Sequence, residues 1–62
     1  MTDDEALALA IEHVDTFDLL LADRVPEQRA ANLILAALKS GRDPRATAEH
    51  FIKLRKAYRG EL

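Results

Sequence analysis

Cysteine is absent, so neither disulfides nor a thiolate metal framework can support this chain. Tryptophan is also absent, and only three aromatic residues are present: Phe17, Phe51 and Tyr58. Glycine occurs only at positions 41 and 60, both of which read as helix ends, and this excludes a glycine-rich phosphate loop. No apolar run approaches the ~18 residues of a bilayer span, and no basic-then-apolar stretch suggests a secretory leader. A cytoplasmic location with no membrane partner is the expectation. Lysine and arginine are missing from residues 1–23, which carry seven acids: Asp3, Asp4, Glu5, Glu12, Asp15, Asp18 and Asp23.

What is present is one short chain of 62 residues, 48% of them hydrophobic, which suits a single folded domain over residues 1–62. Beginning at Met1 and ending at Leu62, it is expected to be a whole small gene product. Eleven of the 30 apolar residues are alanine, leaving 19 larger ones for a core. A domain of this size buries only ~60% of its unfolded surface, so a second chain is expected to contribute to stability. Residues 24–62 hold all nine bases against four acids, so a net −7 block precedes a net +5 block. Two readings stand: the blocks neutralise each other within one molecule, or one of them faces a partner.

Helix punctuation is clear. Thr2-Asp3-Asp4-Glu5 fits a capping box, and its acids suit the positive end of a helix dipole. Leu7, Ala10, Ile11, Val14, Phe17 and Leu21 then recur at helical spacing, predicting a first helix over about 3–23 that stops before Pro26. Pro26 can open a second helix over about 26–40, rich in alanine and leucine and closed by Gly41. Asp43-Pro44 signals the start of a third, over about 44–59, closed by Gly60. The fold class read from the sequence is all-α, a compact three-helix bundle that dimerises.

Projection at 100° per residue assigns the faces. The second helix is apolar over about half its circumference, so it is expected to be central, with its alanines permitting close approach. In the third, Thr47, Phe51, Leu54 and Tyr58 form the expected core face, with Ile52 stranded among Arg45, Lys53, Arg55, Lys56 and Arg59. The first helix is more apolar than a bundle can bury. Leu19 and Leu20 are expected to be left over, and together with Phe17 and Ile52 they are the candidate anchors for a protein partner. Leu7, Ala10, Val14, Phe17 and Leu21 also keep 3-4 spacing, as in a helix that pairs with its own copy.

Residues for chemistry are scarce. His13 and His50 each follow a glutamate, but adjacent helical positions point about 100° apart and cannot share a metal. Thr2, Thr16, Ser40 and Thr47 have no histidine base near them in sequence. The first helix's carboxylates lie on a solvated face, whereas a general acid needs a desolvated pocket. No catalytic residue, cofactor, metal or small-molecule substrate is expected.

The hairpin around Ser40-Gly41-Arg42-Asp43 resembles a helix-turn-helix in its small-residue and glycine spacing, Ala37-x-x-x-Gly41, followed by a basic helix. That resemblance implies base contacts from Arg42, Arg45 and Glu49 and phosphate contacts from Lys53, Lys56 and Arg59. Arg42 stands where an apolar residue normally packs under the turn, and the later core positions slip by one. The leading expectation is therefore a small adaptor, inhibitor or regulator that binds a protein partner as a homodimer. A dimeric DNA-binding regulator using the third helix is the alternative.

Overall fold

The computed structural model describes residues 3–60. Among them there are four helices and no strand: α1 (Asp3–Glu12), α2 (Val14–Ala22), α3 (Glu27–Lys39) and α4 (Pro44–Arg59). The expected three-helix bundle is therefore corrected to four helices, because the predicted first helix is divided at His13. The expected Thr2 cap lies outside the described residues, while Asp3, Asp4 and Glu5 occupy the first turn of α1.

His13 leaves the helical basin at φ −118° and ψ 50°. Its N–H still donates to the carbonyls of Leu9 (3.2 Å) and Ala10 (3.1 Å), and its own carbonyl accepts from Phe17 N–H at 3.0 Å. One residue thus closes α1 and opens α2. Local sequence permits the break: His13, Val14, Asp15, Thr16, Phe17 and Asp18 are six consecutive residues of weaker helix propensity, whether β-branched, aromatic or prone to bond their own backbone. The break also interrupts the 3-4 stripe from Leu7 to Leu21. Ala10 in its middle is fully buried, so this stripe is not one continuous seam for a second copy.

The connections end in specific hydrogen-bonded turns. After α2, Arg24 takes the left-handed conformation (φ 66°), its N–H donating to Leu21 O at 2.9 Å and Val25 N–H to Leu20 O at 3.1 Å. This is a Schellman turn with arginine where glycine is usual, and buried Val25 supplies its apolar contact. After α3, Gly41 (φ 71°) takes the same role, with Arg42 N–H donating to Ala37 O at 2.9 Å. Pro26 precedes α3 rather than occupying its first turn. Asp43 caps α4 as the sequence predicts, its carboxylate accepting from Ala46 N–H at 3.0 Å.

α3 is the central element. It packs against α1, α2 and α4, whereas α1 and α4 do not meet. Gln28 at its start donates to the Asp3 carbonyl at 3.4 Å, holding the α1 and α3 N-termini together. The buried apolar set is Ala6, Ala10, Leu20, Val25, Ala30, Ala31, Ile34, Leu35, Ala37 and Ala48, six of the ten being alanine. Thr16 is the buried polar residue among those described.

Two face assignments are corrected here. Leu20 is fully buried and is one of the largest core side chains, not a leftover anchor. The apolar arc of the first 23 residues is indeed too wide, but its other edge is the one left outside. α4 is also turned by roughly a quarter from its expected setting: Ala48 is buried, Phe51 and Ile52 pack half-buried on the core, and Leu54 and Tyr58 face solvent. The reason is Arg55, whose pairing with Asp23 brings the 48-52-55-59 side inward.

Replacing Leu20 by alanine is expected to cost about 2 to 5 kcal/mol by urea denaturation, because the atoms removed leave a cavity in a closely packed core. Tyr58→Ala should change stability by less than about 0.5 kcal/mol. Equal costs for the two would contradict the rotation of α4.

Candidate interaction surfaces

Asp23, at the end of α2, is held by two arginines from α4. Arg55 Nε lies 3.0 Å from Oδ2, and Arg59 Nη2 lies 2.8 Å from Oδ1. Arg55 also donates to the Asp23 carbonyl at 3.4 Å. Spacing of i and i+4 on α4 presents both guanidiniums to one carboxylate. The Asp23 side chain is mostly buried by them, and its pKa is lowered from the ordinary 3.8, chiefly by the Arg59 hydrogen bond. Desolvation opposes that lowering, and the Arg55 hydrogen bond reinforces it. Arg55 further lies over the Phe51 ring at 5.7 Å, and Arg29 of α3 lies over it at 5.8 Å.

Beyond this clasp, Glu12 and Asp15 of the acidic block line a depression with Arg45 of the basic one. α1 carries four acids and does not pack against α4. Asp15 and Asp18 on α2, and Lys53 and Lys56 on α4, are exposed and make no ion pair among the described residues. Internal ion pairing thus engages Asp23 and leaves Asp15, Asp18, Lys53 and Lys56 on exposed surface.

The exposed apolar residues divide in the same way. On the acidic side are Ile11 of α1 (76% exposed), with Val14 (51%) and Leu21 (37%) of α2. Phe17 is half-buried against the core between Val14 and Leu21 in sequence, so 14, 17 and 21 run down one side of α2 with Asp18 at its edge. On the basic side are Leu54 (47%) and Tyr58 (92%) of α4.

The sequence-predicted anchors are scattered. Phe17, Leu19 and Ile52 are half-buried on the core, and Leu20 is within it. Leu19 and Ile52 come together with Ala22, Asp23 and Lys56 around a shallow depression between α2 and α4 that does not include Ile11 or Val14. Ile11, Val14 and Leu21 are not among those anchors, although the sequence places all three on the apolar arc of the first helix and puts Val14 and Leu21 in the stripe suited to pairing with a second copy. The signal that could have found them is the excess width of that arc.

The candidate nucleic-acid residues do form a partial ridge. Arg42, Arg45, Lys53 and Lys56 are exposed, and Arg45 pairs with Glu49 at 3.2 Å. Arg59 is drawn aside to Asp23. Glu12 and Asp15 line the same depression as Arg45, beside His13 and Thr16, so carboxylates flank the start of the would-be recognition helix.

Among the described residues no group of three His, Cys, Asp or Glu is placed to hold a metal ion, and no helix is long and apolar enough to cross a membrane. No protein family, curated protein or solved structure matches the chain.

Because the folded-state pKa of Asp23 lies below its unfolded value, the stability from this clasp is fully present above the unfolded pKa. It is lost as pH falls through the lowered folded value. Asp23→Asn should therefore flatten the acid limb of stability between about pH 5 and about pH 2. Thermal melting of both proteins across that range checks this; parallel limbs would mean that the clasp contributes nothing.

Proposed function

We propose that this chain is a non-catalytic protein-interaction module whose contact surface is the outward side of α2 with Ile11 of α1. The observation that carries the reading is the coincidence of three large exposed apolar side chains with two helices that bear carboxylates and no base of their own, Arg45 of α4 lying beside Val14 at one end. Ile11, Val14 and Leu21 are exposed, and α1 and α2 contain no lysine or arginine. Exposed aliphatics rimmed by charge of one sign suit a partner that covers the apolar strip and supplies opposite charge at the rim. The partner favoured is therefore a basic, amphipathic protein segment, with the apolar side chains giving affinity and the carboxylates giving orientation and a fast approach.

A DNA-binding reading has one feature in its favour: Arg42, Lys53 and Lys56 are exposed and make no ion pair among the described residues. It is weakened by Glu12 and Asp15 beside Arg45, where a recognition helix would bring its first turn to the phosphates.

A nuclear magnetic resonance titration separates the two. A synthetic amphipathic helix of leucine and lysine should shift Ile11, Val14, Asp15, Asp18 and Leu21, and the same peptide with glutamate for lysine should not. Val14→Ser with Leu21→Ser should weaken binding at least about tenfold, the loss of more than 1.4 kcal/mol expected from two apolar contacts. Shifts confined to α4, or none, would overturn the reading. Shifts at Arg42, Arg45, Lys53 and Lys56 with a random duplex, weakening steeply with salt, would establish the DNA alternative instead.

A further inference from the structure

α4 is the least embedded of the four helices. It is the longest, at 16 residues, yet among the described residues its one buried side chain is the methyl of Ala48. The 13 residues of α3 bury Ala30, Ala31, Ile34, Leu35 and Ala37. Phe51 and Ile52 reach the core half-buried, but from Lys53 to Arg59 every apolar side chain is exposed. That second stretch is fastened by charge, through Arg55 and Arg59 on Asp23 and the placement of Arg55 over the Phe51 ring. At the other end, Ser40, Gly41, Arg42 and Asp43 are exposed, and a Cβ placed on Gly41 would meet nothing within 4 Å. The clasp thus begins about 17 Å along α4 from an open connection. α1 does not pack against α4, so its contacts with α2 and α3 do not depend on that helix.

We propose that α4 is a flap, hinged at Ser40–Asp43 and latched at its far end by the Asp23 clasp, which swings off α2 and α3 as one unit while the other three helices stay folded. Elements with few buried apolar contacts open before the rest of a domain, and α4 meets that condition along its second half. Opening uncovers Leu19 and Ala22 of α2, which share a depression with Ile52 and Lys56, and the part of α3 where Arg29 meets Phe51. This surface is separate from Ile11, Val14 and Leu21, so the flap does not rest on the interaction-module reading. Once released, α4 is a 16-residue helix without a packing partner, marginal in water, and its amides are then open to exchange.

Amide hydrogen exchange of the intact chain, followed residue by residue by nuclear magnetic resonance in low concentrations of urea, tests the proposal. Amides from Ala48 to Arg55 should share one opening equilibrium, at least about tenfold more open than the slowest amides of α3, with a weaker dependence on urea because less surface is exposed. Two variants then separate the flap from global unfolding. Asp23→Asn breaks the clasp in the closed form alone, so α4 and α3 amides should both exchange faster, by at least about threefold and by the same factor. Ala6→Gly weakens α1, which stays folded when the flap opens. It should therefore speed the slowest α3 amides by at least about twofold and leave those of α4 unchanged. A common opening equilibrium and urea slope for α3 and α4 in the unaltered chain would overturn the proposal, as would a smooth gradient of exchange from Arg59 inward, the mark of fraying. Unchanged α4 exchange in Asp23→Asn would remove the latch, and equal acceleration of both helices in Ala6→Gly would show that α4 opens only with the whole molecule.

Discussion

Close approach of three helices to the alanine-lined surface of α3 is the constraint on which the rest of the molecule depends. Ala30, Ala31 and Ala37 of α3 are buried, as are Ala6 and Ala10 of α1 and Ala48 of α4. Small side chains at a helix contact bring the axes toward the short end of the usual 8–10 Å separation and multiply dispersion contacts. They remove little apolar area per residue, and the large buried side chains are few: Leu20, Val25, Ile34 and Leu35. A core of that volume is filled before every large apolar residue has been accommodated. The exposed positions of Ile11, Val14, Leu21, Leu54 and Tyr58 follow from that shortage of interior space.

The same arrangement limits contact between the charge blocks. With α3 between them, α1 and α4 do not pack together; Asp23 is fastened to α4 by ion pairs, and Glu12 and Asp15 line a depression with Arg45. A molecule of net charge −2 therefore keeps exposed charge of both signs. Surface charge of this kind orients an approaching partner at long range and is screened by salt, whereas Asp23 with its two arginines acts at contact distance to set the rotation of α4. The two kinds of electrostatics have different consequences: one is available to association, and the other is spent inside the fold.

Much of the architecture was legible from local chemistry. Asp43-Pro44, Gly41 and Gly60 marked the ends of α3 and α4 because capping depends on a few adjacent residues. The break at His13 was hidden because apolar spacing continues through it, and the weak propensity of residues 13–18 was the available but unread signal. The setting of α4 was misread because Thr47, Phe51, Leu54 and Tyr58 make a more apolar stripe than Ala48, Ile52, Arg55 and Arg59. Projection ranks stripes by hydropathy and does not see that Arg55 and Arg59 have a carboxylate waiting on another helix.

By itself, then, the sequence determined the all-helical class, most helix ends and the segregation of acids from bases, since these rest on composition and on neighbours within a turn. The tertiary structure decided which edge of an overly wide apolar arc went inward. Leu20 competed successfully for the surfaces of α3 and α4, while Val14 and Leu21 on the other edge did not. That choice depends on space beside helices distant in the chain, and no periodicity within α2 contains it.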